Sequence, residues 1–184
     1  MKKTAVIFGA SGLVGKELCN LLSEGNEFEE IKAVVRSRQE FLSDKIKQIL
    51  LPDFSKLNDH RETLKADVSF CCIGTTIKKA GSQDSFLKVD LDIPVAVAEL
   101  AETLAVPSLV VISSLGADEK SSNFYLRTKG QMEKKVAETY HGNLKFVRPS
   151  LLMGDRKEFR FGEKIAVFFM KASGWIFTGP LARY

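Results

Sequence analysis

Short apolar runs recur along the chain and alternate with longer stretches in which apolar residues stand three or four positions apart. Continuous apolar runs are typical of parallel strands that are covered on both faces of a sheet. Six such runs predict strands, at Thr4–Phe8, Ile31–Val35, Ile46–Leu51, Val68–Ile73, Leu109–Ser113 and Leu144–Val147.

The intervening stretches have helical periodicity and predict helices at Leu13–Glu24, Ser55–Leu64, Ser85–Leu104 and Phe124–Tyr140. Pro94 is expected to kink the third helix or restart it, because proline has no backbone N–H to donate. The alternation of strands and helices predicts an α/β fold with a single doubly wound parallel sheet and helices on both faces. In such sheets, ligands bind outside the carboxyl ends of the strands.

The composition fits one soluble globular domain. The chain has 184 residues, of which 45% are hydrophobic and 27% charged. Its net charge of +4 is small and dispersed, so we expect no nucleic-acid partner. The apolar run Ile165–Met170 is too short to cross a bilayer, so we expect no membrane span. Lys2 and Lys3 lead directly into a strand, which predicts no signal peptide and a cytoplasmic protein.

The cysteine and histidine positions give no sign of a disulfide framework or a metal site. Cys19, Cys71 and Cys72 are few and odd in number. His60 and His141 are far apart and lack metal-ligand spacing. We therefore expect reduced thiols and no bound metal.

The most informative motif is a glycine-rich turn between the first strand and the first helix. Gly9, Gly12 and Gly15 follow the strand at three-residue intervals. Glycines permit a tight turn and let a diphosphate approach the backbone. The helix start offers unpaired N–H groups and a partial positive charge to an anion. The motif predicts a nucleotide site, and a glycine-rich turn without a ligand is the alternative.

The residues after the second strand bear on the choice of nucleotide. NAD-selective sites usually carry an acid here, whereas this chain has Arg36, which can pair with the 2′-phosphate of NADP. Ser11 could add a hydroxyl to the same phosphate. We expect NADP(H) to be favoured over NAD(H), unless Arg36 and Arg38 are merely solvated cations.

Polar and glycine residues also follow the third and fourth strands. Asp53 could accept a hydrogen bond from adenine while Phe54 packs nearby, or Asp53 could cap the helix that starts at Ser55. Gly74 would let the backbone come close to the cofactor, and Thr75 offers a hydroxyl.

The roles of two further loops are left open. The basic, glycine-ended loop Lys78–Gly81 is either a phosphate or substrate contact or a solvated loop. Pro149 follows the sixth strand, where it would rest against the nicotinamide end of a cofactor or form a simple turn.

The fourth predicted helix carries the candidate chemistry. Tyr125 and Lys129 are four positions apart and share one face, which continues through the core-type residues Met132 and Val136. A lysine on an inward face is unusual, because a buried charge is costly unless it is paired or used. An ammonium lowers the pKa of a nearby phenol, which suits general acid–base catalysis. Ser113 could polarise the substrate oxygen.

These features together resemble the short-chain dehydrogenase/reductase superfamily. The resemblance narrows to the HIV Tat-interacting protein branch of its atypical members, on the strings Phe70–Thr76, Ser113–Asp118, Ser121–Tyr125 and Arg148–Ser150. It implies a Rossmann fold that binds NADPH, with Ser113, Tyr125 and Lys129 as catalytic residues and Ser114 as the alternative serine. The candidate cofactor-binding residues are Gly9, Ala10, Ser11, Gly12, Leu13, Val14, Arg36, Asp53, Phe54, Gly74, Thr75, Tyr125, Lys129 and Pro149.

The resemblance also bears on two less regular parts of the chain. Asp90 stands near the place where many superfamily enzymes have a helix asparagine that organises a proton relay. Residues 1–184 are expected to form one NAD(P)-binding domain, in which 151–184 contributes cover on the substrate side. The aromatic stretch Phe159–Phe177 would form part of that cover, or else cover the core or a dimer surface.

The favoured function is an NADPH-dependent oxidoreductase that reduces a carbonyl group of a small substrate. A nucleotide-sugar epimerase with a tightly retained cofactor is an alternative of the same class. A second class is an NADP(H)-binding regulatory module with little turnover, because eukaryotic relatives of this branch are described as regulators. A homodimer or a regulatory protein partner is left open.

Overall fold

The computed structural model describes residues 2–149, which form a six-stranded sheet flanked by helices. The strands are β1 (Lys3–Phe8), β2 (Phe28–Val35), β3 (Ile46–Leu50), β4 (Val68–Cys71), β5 (Ser108–Ile112) and β6 (Asn143–Val147). Their order is β3-β2-β1-β4-β5-β6, and every neighbouring pair is parallel. The chain moves outward from β1 in one direction and then in the other, so the doubly wound sheet is confirmed. The switch point, where such sheets bind ligands, lies between β1 and β4.

The helices are α1 (Leu13–Glu24), α2 (Arg61–Leu64), α3 (Ile77–Ala80), α4 (Gln83–Leu87), α5 (Ile93–Thr103) and α6 (Phe124–Thr139). A 3₁₀ helix at Phe54–His60 precedes α2, and a π-helical turn at Lys88–Asp92 joins α4 to α5. Pro94 lies in the first turn of α5, where a missing N–H costs no helical hydrogen bond. The irregularity expected at Pro94 is therefore present, as the π-helical turn that ends two residues before the proline.

The sequence did not predict α3, and it joined α4 and α5 into one helix. None of the four residues of α3 is buried, so this helix has no apolar periodicity to detect. It is held by Thr76, whose hydroxyl accepts a hydrogen bond from the backbone N–H of Lys79 at 3.2 Å.

Alternate residues of β1 supply apolar cores on both faces of the sheet. Ile7 is fully buried in the cluster that includes Leu18 of α1. Phe8 is buried in the other cluster, with Val97 of α5 and Met132 of α6. Successive strand residues point to opposite faces, which explains why β1 is continuously apolar from Ala5 to Phe8.

Some expectations fall outside residues 2–149. The segment 151–184, including Phe159–Phe177, and Ser150 are not described, so the single domain over 1–184 and its substrate-side cover stay predictions. Among the described helices, none is long and apolar enough to span a membrane.

Candidate active site

The glycine-rich turn brings the ends of β1 and β4 together. Gly9 has a φ of 80°, in the left-handed region that favours glycine. A Cβ at Gly9 would lie 3.0 Å from both the carbonyl carbon and the oxygen of Cys72. The N–H of Gly12 donates to the carbonyl of Gly9 at 3.0 Å and closes the turn. A side chain at Gly9 would therefore be strained twice, by its φ and by the neighbouring strand.

Helix α1 packs directly on this turn through Gly15. A Cβ there would overlap the carbonyl oxygen of Gly9 and lie 2.9 Å from the Cα of Ala10. Gly12 caps the helix without a side chain, and the first turn of α1 contains no acidic residue. The amino terminus of α1 therefore keeps its positive dipole end and its first N–H groups available to an anion.

Gly15→Ala is expected to lower the free energy of unfolding by about 1–3 kcal/mol, because the methyl group must displace backbone. It should also weaken the binding of a dinucleotide cofactor by about tenfold or more, since the turn and the start of α1 would separate. Denaturant unfolding and a calorimetric titration would measure both effects. Gly25→Ala is the matched control at the other end of α1, where the nearest atom to an added Cβ lies at 3.6 Å. Equal results for the two variants would contradict this view of the turn.

A cleft of about 880 Å³ opens at the carboxyl ends of the strands. The predicted cofactor-binding residues that line it are Gly9, Ser11, Gly12, Arg36, Asp53, Phe54, Gly74 and Thr75. Within residues 2–149, the other candidates lie outside the lining, namely Ala10, Leu13, Val14, Tyr125, Lys129 and Pro149. Their contact with a cofactor stays a prediction.

Sequence reasoning missed one wall of the cleft, formed by the segment that runs from α3 to α5. The lining includes Ser85, Lys88 and Asp92, which had no assigned role, and Lys79, from the basic loop whose role was left open. The predicted helix over 85–104, altered only at Pro94, did not include the π-helical turn Lys88–Asp92, which shifts the helical phase of every residue that follows it.

Asp53 both lines the cleft and caps a helix. Its Oδ1 accepts a hydrogen bond from the N–H of Ser55 at 2.9 Å, at the start of the 3₁₀ helix. The hydrogen bond from the Ser55 backbone lowers the pKa of the Asp53 carboxyl. The capping alternative is thus confirmed, and the adenine contact stays a prediction.

Arg36 is exposed at the end of β2 and lines the cleft, whereas Arg38 is not part of the lining. The loop after Arg36 is fastened to β3 by two hydrogen bonds. The N–H of Gln39 donates to Oε1 of Gln48, and Nε2 of Gln48 donates to the carbonyl of Gln39, both at 2.8 Å. These two hydrogen bonds fix the loop that follows Arg36 against β3.

Lys129 is buried, as its helical face predicts, with only 3% of its surface exposed. Its Nζ lies 2.7 Å from Oδ1 of Asp90, which is 1% exposed. The other oxygen of Asp90, Oδ2, accepts the backbone N–H of Thr75 at 2.8 Å. A buried ion pair thus connects α6 to the loop that lines the cleft after β4. Its acid, Asp90, was recognised only by its place in the sequence and not as the partner of Lys129.

Tyr125 lies one turn before Lys129 on α6. Its ring packs against the fully buried ring of Phe86, with centroids 5.9 Å apart and planes inclined by 54°. Phe124 contacts the same ring at 5.7 Å. Tilted aromatic pairs of this kind are favourable and restrict the phenol ring.

Ser113 carries a buried hydroxyl with no hydrogen-bond partner among the described residues. Its backbone N–H donates to the carbonyl of Val147 at 2.7 Å. The neighbouring hydroxyl of Ser114 already donates to the carbonyl of Leu115 at 3.3 Å. Since buried polar groups are nearly always paired, Ser113 is the better candidate to meet a substrate. The Leu115 N–H donates to the carbonyl of Pro149 at 3.0 Å, so Pro149 lies beside this loop.

The cysteines lack the properties of nucleophiles. Burial raises the pKa of the Cys19 thiol to about 12 and that of the Cys71 thiol to about 11. Both thiols are protonated at neutral pH and therefore poorly reactive. All three cysteines are free, and the described residues contain no group of three side chains placed to hold a metal ion.

Comparison with known proteins places the chain in a family. The family model described as semialdehyde dehydrogenase, NAD binding domain, matches residues 4–93. Protein HTATIP2 of Rattus norvegicus is 38% identical over 167 residues, which cover 89% of this chain and 69% of the rat protein. The chain belongs to the HTATIP2 family. This result confirms the resemblance to the HIV Tat-interacting protein branch, which was based on the strings Phe70–Thr76, Ser113–Asp118, Ser121–Tyr125 and Arg148–Ser150.

Fungal members of the HTATIP2 family correct one expectation. The mitochondrial protein FMP52 of Debaryomyces hansenii is 34% identical over 157 residues, covering 84% of this chain and 69% of the fungal protein. Because such relatives are named as mitochondrial, the cytoplasmic location expected from the amino terminus is contradicted. The amino-terminal residues indicate only that a secretory signal pattern is absent there, and this does not distinguish a cytoplasmic from a mitochondrial location.

Solved structures establish the fold of this HTATIP2-family chain. The oxidoreductase ylbE of Lactococcus lactis superposes with a TM-score of 0.71 at 18% identity, covering 91% of this chain and 84% of ylbE. The dTDP-4-dehydrorhamnose reductase of Bacillus anthracis, solved in complex with NADP, gives 0.63 at 19% identity, over 85% of this chain and 56% of the reductase. The chain therefore has the NAD(P)-binding Rossmann fold found in oxidoreductases and epimerases.

Proposed function

We propose that this protein is an NADPH-dependent reductase that acts on the carbonyl group of a small substrate. The observation that carries the proposal is the buried Lys129, one helical turn from Tyr125 and joined through Asp90 to the cleft-lining Thr75. A buried ammonium is costly unless it is used or paired. Here the ammonium is paired with Asp90, which also accepts a hydrogen bond from Thr75 in the wall of the cleft, and it lies one helical turn from the candidate proton donor Tyr125.

The cleft suits a dinucleotide phosphate cofactor. The turn at Gly9 and Gly15 packs backbone against backbone with no room for side chains, which brings the start of α1 close to the end of β1, where a diphosphate would bind. The uncapped amino terminus of α1 adds N–H donors for the same anion. Gly74 and Thr75 would contact the cofactor from the opposite side of the switch point.

Residues of α6 and of the loop after β5 would carry out the proton transfer. When bound, NADPH supplies the hydride that the carbonyl carbon accepts. Tyr125 would donate its phenolic proton to the carbonyl oxygen and then recover a proton from solvent. The unpaired hydroxyl of Ser113 would donate a hydrogen bond to the same oxygen, which polarises the carbonyl group. Lys129 would supply a positive charge that favours the phenolate left on Tyr125.

The preference for NADPH over NADH rests on Arg36, with Ser11 nearby in the lining. Arg36→Gln is expected to raise the Kd for NADPH by about 10–100-fold, the size of a charge-assisted contact with a phosphate. The Kd for NADH should change by less than about twofold, because NADH lacks the 2′-phosphate. Calorimetric titration of both cofactors measures this difference.

Arg38→Gln is the control for that titration, since Arg38 is exposed but lies outside the lining. It should leave both affinities unchanged. If Arg36→Gln weakened NADH and NADPH equally, Arg36 would have no role in selecting the 2′-phosphate.

The proposal as a whole is tested by NADPH oxidation in the presence of a panel of aldehydes and ketones. We expect at least one carbonyl compound to be reduced with one NADPH consumed per alcohol formed. Tight NADPH binding with no reduction of any compound would favour the regulatory module.

An epimerase-like reaction is the second candidate, supported by the fold. The ADP-L-glycero-D-manno-heptose-6-epimerase of Helicobacter pylori superposes with a TM-score of 0.65 at 18% identity, over 80% of this chain and 55% of the epimerase. An epimerase returns the hydride to its substrate and keeps its cofactor. Cofactor retained through purification, without net NADPH consumption, would favour it over a reductase.

A further inference from the structure

Asp90 lies at an irregular point of the helix that lines the cleft. It is in the π-helical turn Lys88–Asp92, between α4 and α5. Such turns are rare and often mark functional sites. The side chains at both ends of the turn, Lys88 and Asp92, line the cleft, whereas Asp90 is almost fully buried.

Each oxygen of Asp90 meets a different donor. Oδ1 faces the ammonium of Lys129 at 2.7 Å, and Oδ2 accepts the N–H of Thr75 at 2.8 Å. An asparagine would offer one acceptor and one NH₂ group, so it could serve only one of these donors and would oppose the other. The site therefore requires a carboxylate and not merely a polar residue of that shape.

The cleft-lining loop is built closely around this pair. A Cβ at Gly74 would lie 3.3 Å from Oδ1 of Asp90 and 3.9 Å from Nζ of Lys129. The missing side chain at Gly74 lets the loop backbone approach the ion pair. The ion pair of Asp90 with Lys129 and the backbone of the loop therefore form one packed unit.

We propose that Asp90 is a positioning residue that holds Lys129 and the Gly74–Thr75 loop in one fixed arrangement against the cofactor cleft. This inference rests on the proposed function, because it gives Lys129 a task beside Tyr125. Without Asp90, the ammonium would lose its buried counter-charge and turn away from its place beneath the loop. The affinity for the cofactor would fall and the proton-transfer step would become slower. Both effects would result from the displacement of Lys129.

The test is a double-mutant cycle on the Kd for NADPH, measured by calorimetry with the purified protein. Asp90→Asn is expected to raise the Kd by about tenfold when Lys129 is present. In the Lys129→Met background, the same change should alter the Kd by less than about twofold, because asparagine can still accept the Thr75 N–H. The same fold-change in both backgrounds would overturn the proposal.

Turnover gives a second, independent measurement. On any carbonyl compound that the wild-type protein reduces, Asp90→Asn should lower kcat by about 10–100-fold and change the KM of the carbonyl substrate by less than about twofold. Asp84→Asn is the matched control, an exposed aspartate of the neighbouring α4. A wild-type kcat for Asp90→Asn would contradict a positioning role.

The two measurements separate the two proposals. If the wild-type protein reduces no carbonyl compound, the proposed function fails, while the cycle on NADPH affinity still decides the role of Asp90. If Asp90→Asn does not fold, the comparison of Lys129→Met with Asp90→Asn/Lys129→Met replaces it. Equal Kd values for those two variants are expected, and a further loss of about tenfold in the double variant would overturn the proposal.

Discussion

Lys129→Met is expected to lower the free energy of unfolding by about 3–5 kcal/mol. The variant removes one partner of a buried ion pair and leaves the carboxylate of Asp90 without its counter-charge. Asp90 and Lys129 are 1% and 3% exposed, so solvent cannot replace the missing partner. Denaturant unfolding, with both the midpoint and the slope recorded, measures the loss.

A second lysine of α6, which forms an exposed ion pair, provides the control. Lys134 pairs with Glu119 at 2.9 Å, but its side chain is 56% exposed. Lys134→Met should therefore lower the free energy of unfolding by less than about 1 kcal/mol.

Asp90→Asn/Lys129→Met should recover about 1–3 kcal/mol relative to the sum of the single variants. Strict additivity would mean that the buried pair is not coupled.

Tyr125→Phe is expected to lower kcat for carbonyl reduction by about 10²–10⁴-fold, because it removes the proton donor. The Kd for NADPH should change by less than about twofold, since the phenylalanine ring can keep its packing against Phe86. The measurement is steady-state NADPH oxidation with a carbonyl compound that the wild-type protein reduces, together with a titration of NADPH alone.

Tyr140→Phe is the matched control for the loss of a phenol hydroxyl. Tyr140 donates to the carbonyl of Val106 at 2.6 Å, and burial raises its pKa to about 12. Its loss should reduce stability by about 1 kcal/mol without a change in kcat. Wild-type turnover by Tyr125→Phe would exclude Tyr125 as the proton donor.

The features that the sequence predicts well are those that local chemistry determines. The glycine turn is predictable because a left-handed Gly9 and a bare Gly15 are required by backbone geometry within a few residues. The inward orientation of Lys129 is predictable because helical spacing alone places it on the apolar face with Met132. The bounds of α1 and the parallel sheet follow from the same kind of pattern.

The features that sequence reasoning misses depend on tertiary packing. The pairing of Asp90 with Lys129 joins two helices that are distant along the chain, and no local spacing encodes it. The cleft wall at Lys88 and Asp92 depends on a π-helical turn that changes the phase of the helix. Neither the π-helical turn nor the change of helical phase produces a pattern of apolar residues that could be detected in the sequence.

Transfer of deuterium from NADPH that carries deuterium at both positions of the nicotinamide C4 tests the central claim most directly. The protein would be incubated with the labelled cofactor and the carbonyl panel, and the products analysed by mass spectrometry. A reductase predicts an alcohol that carries one deuterium at the former carbonyl carbon for each NADPH oxidised. NADPH that binds but transfers deuterium to no compound would contradict the account.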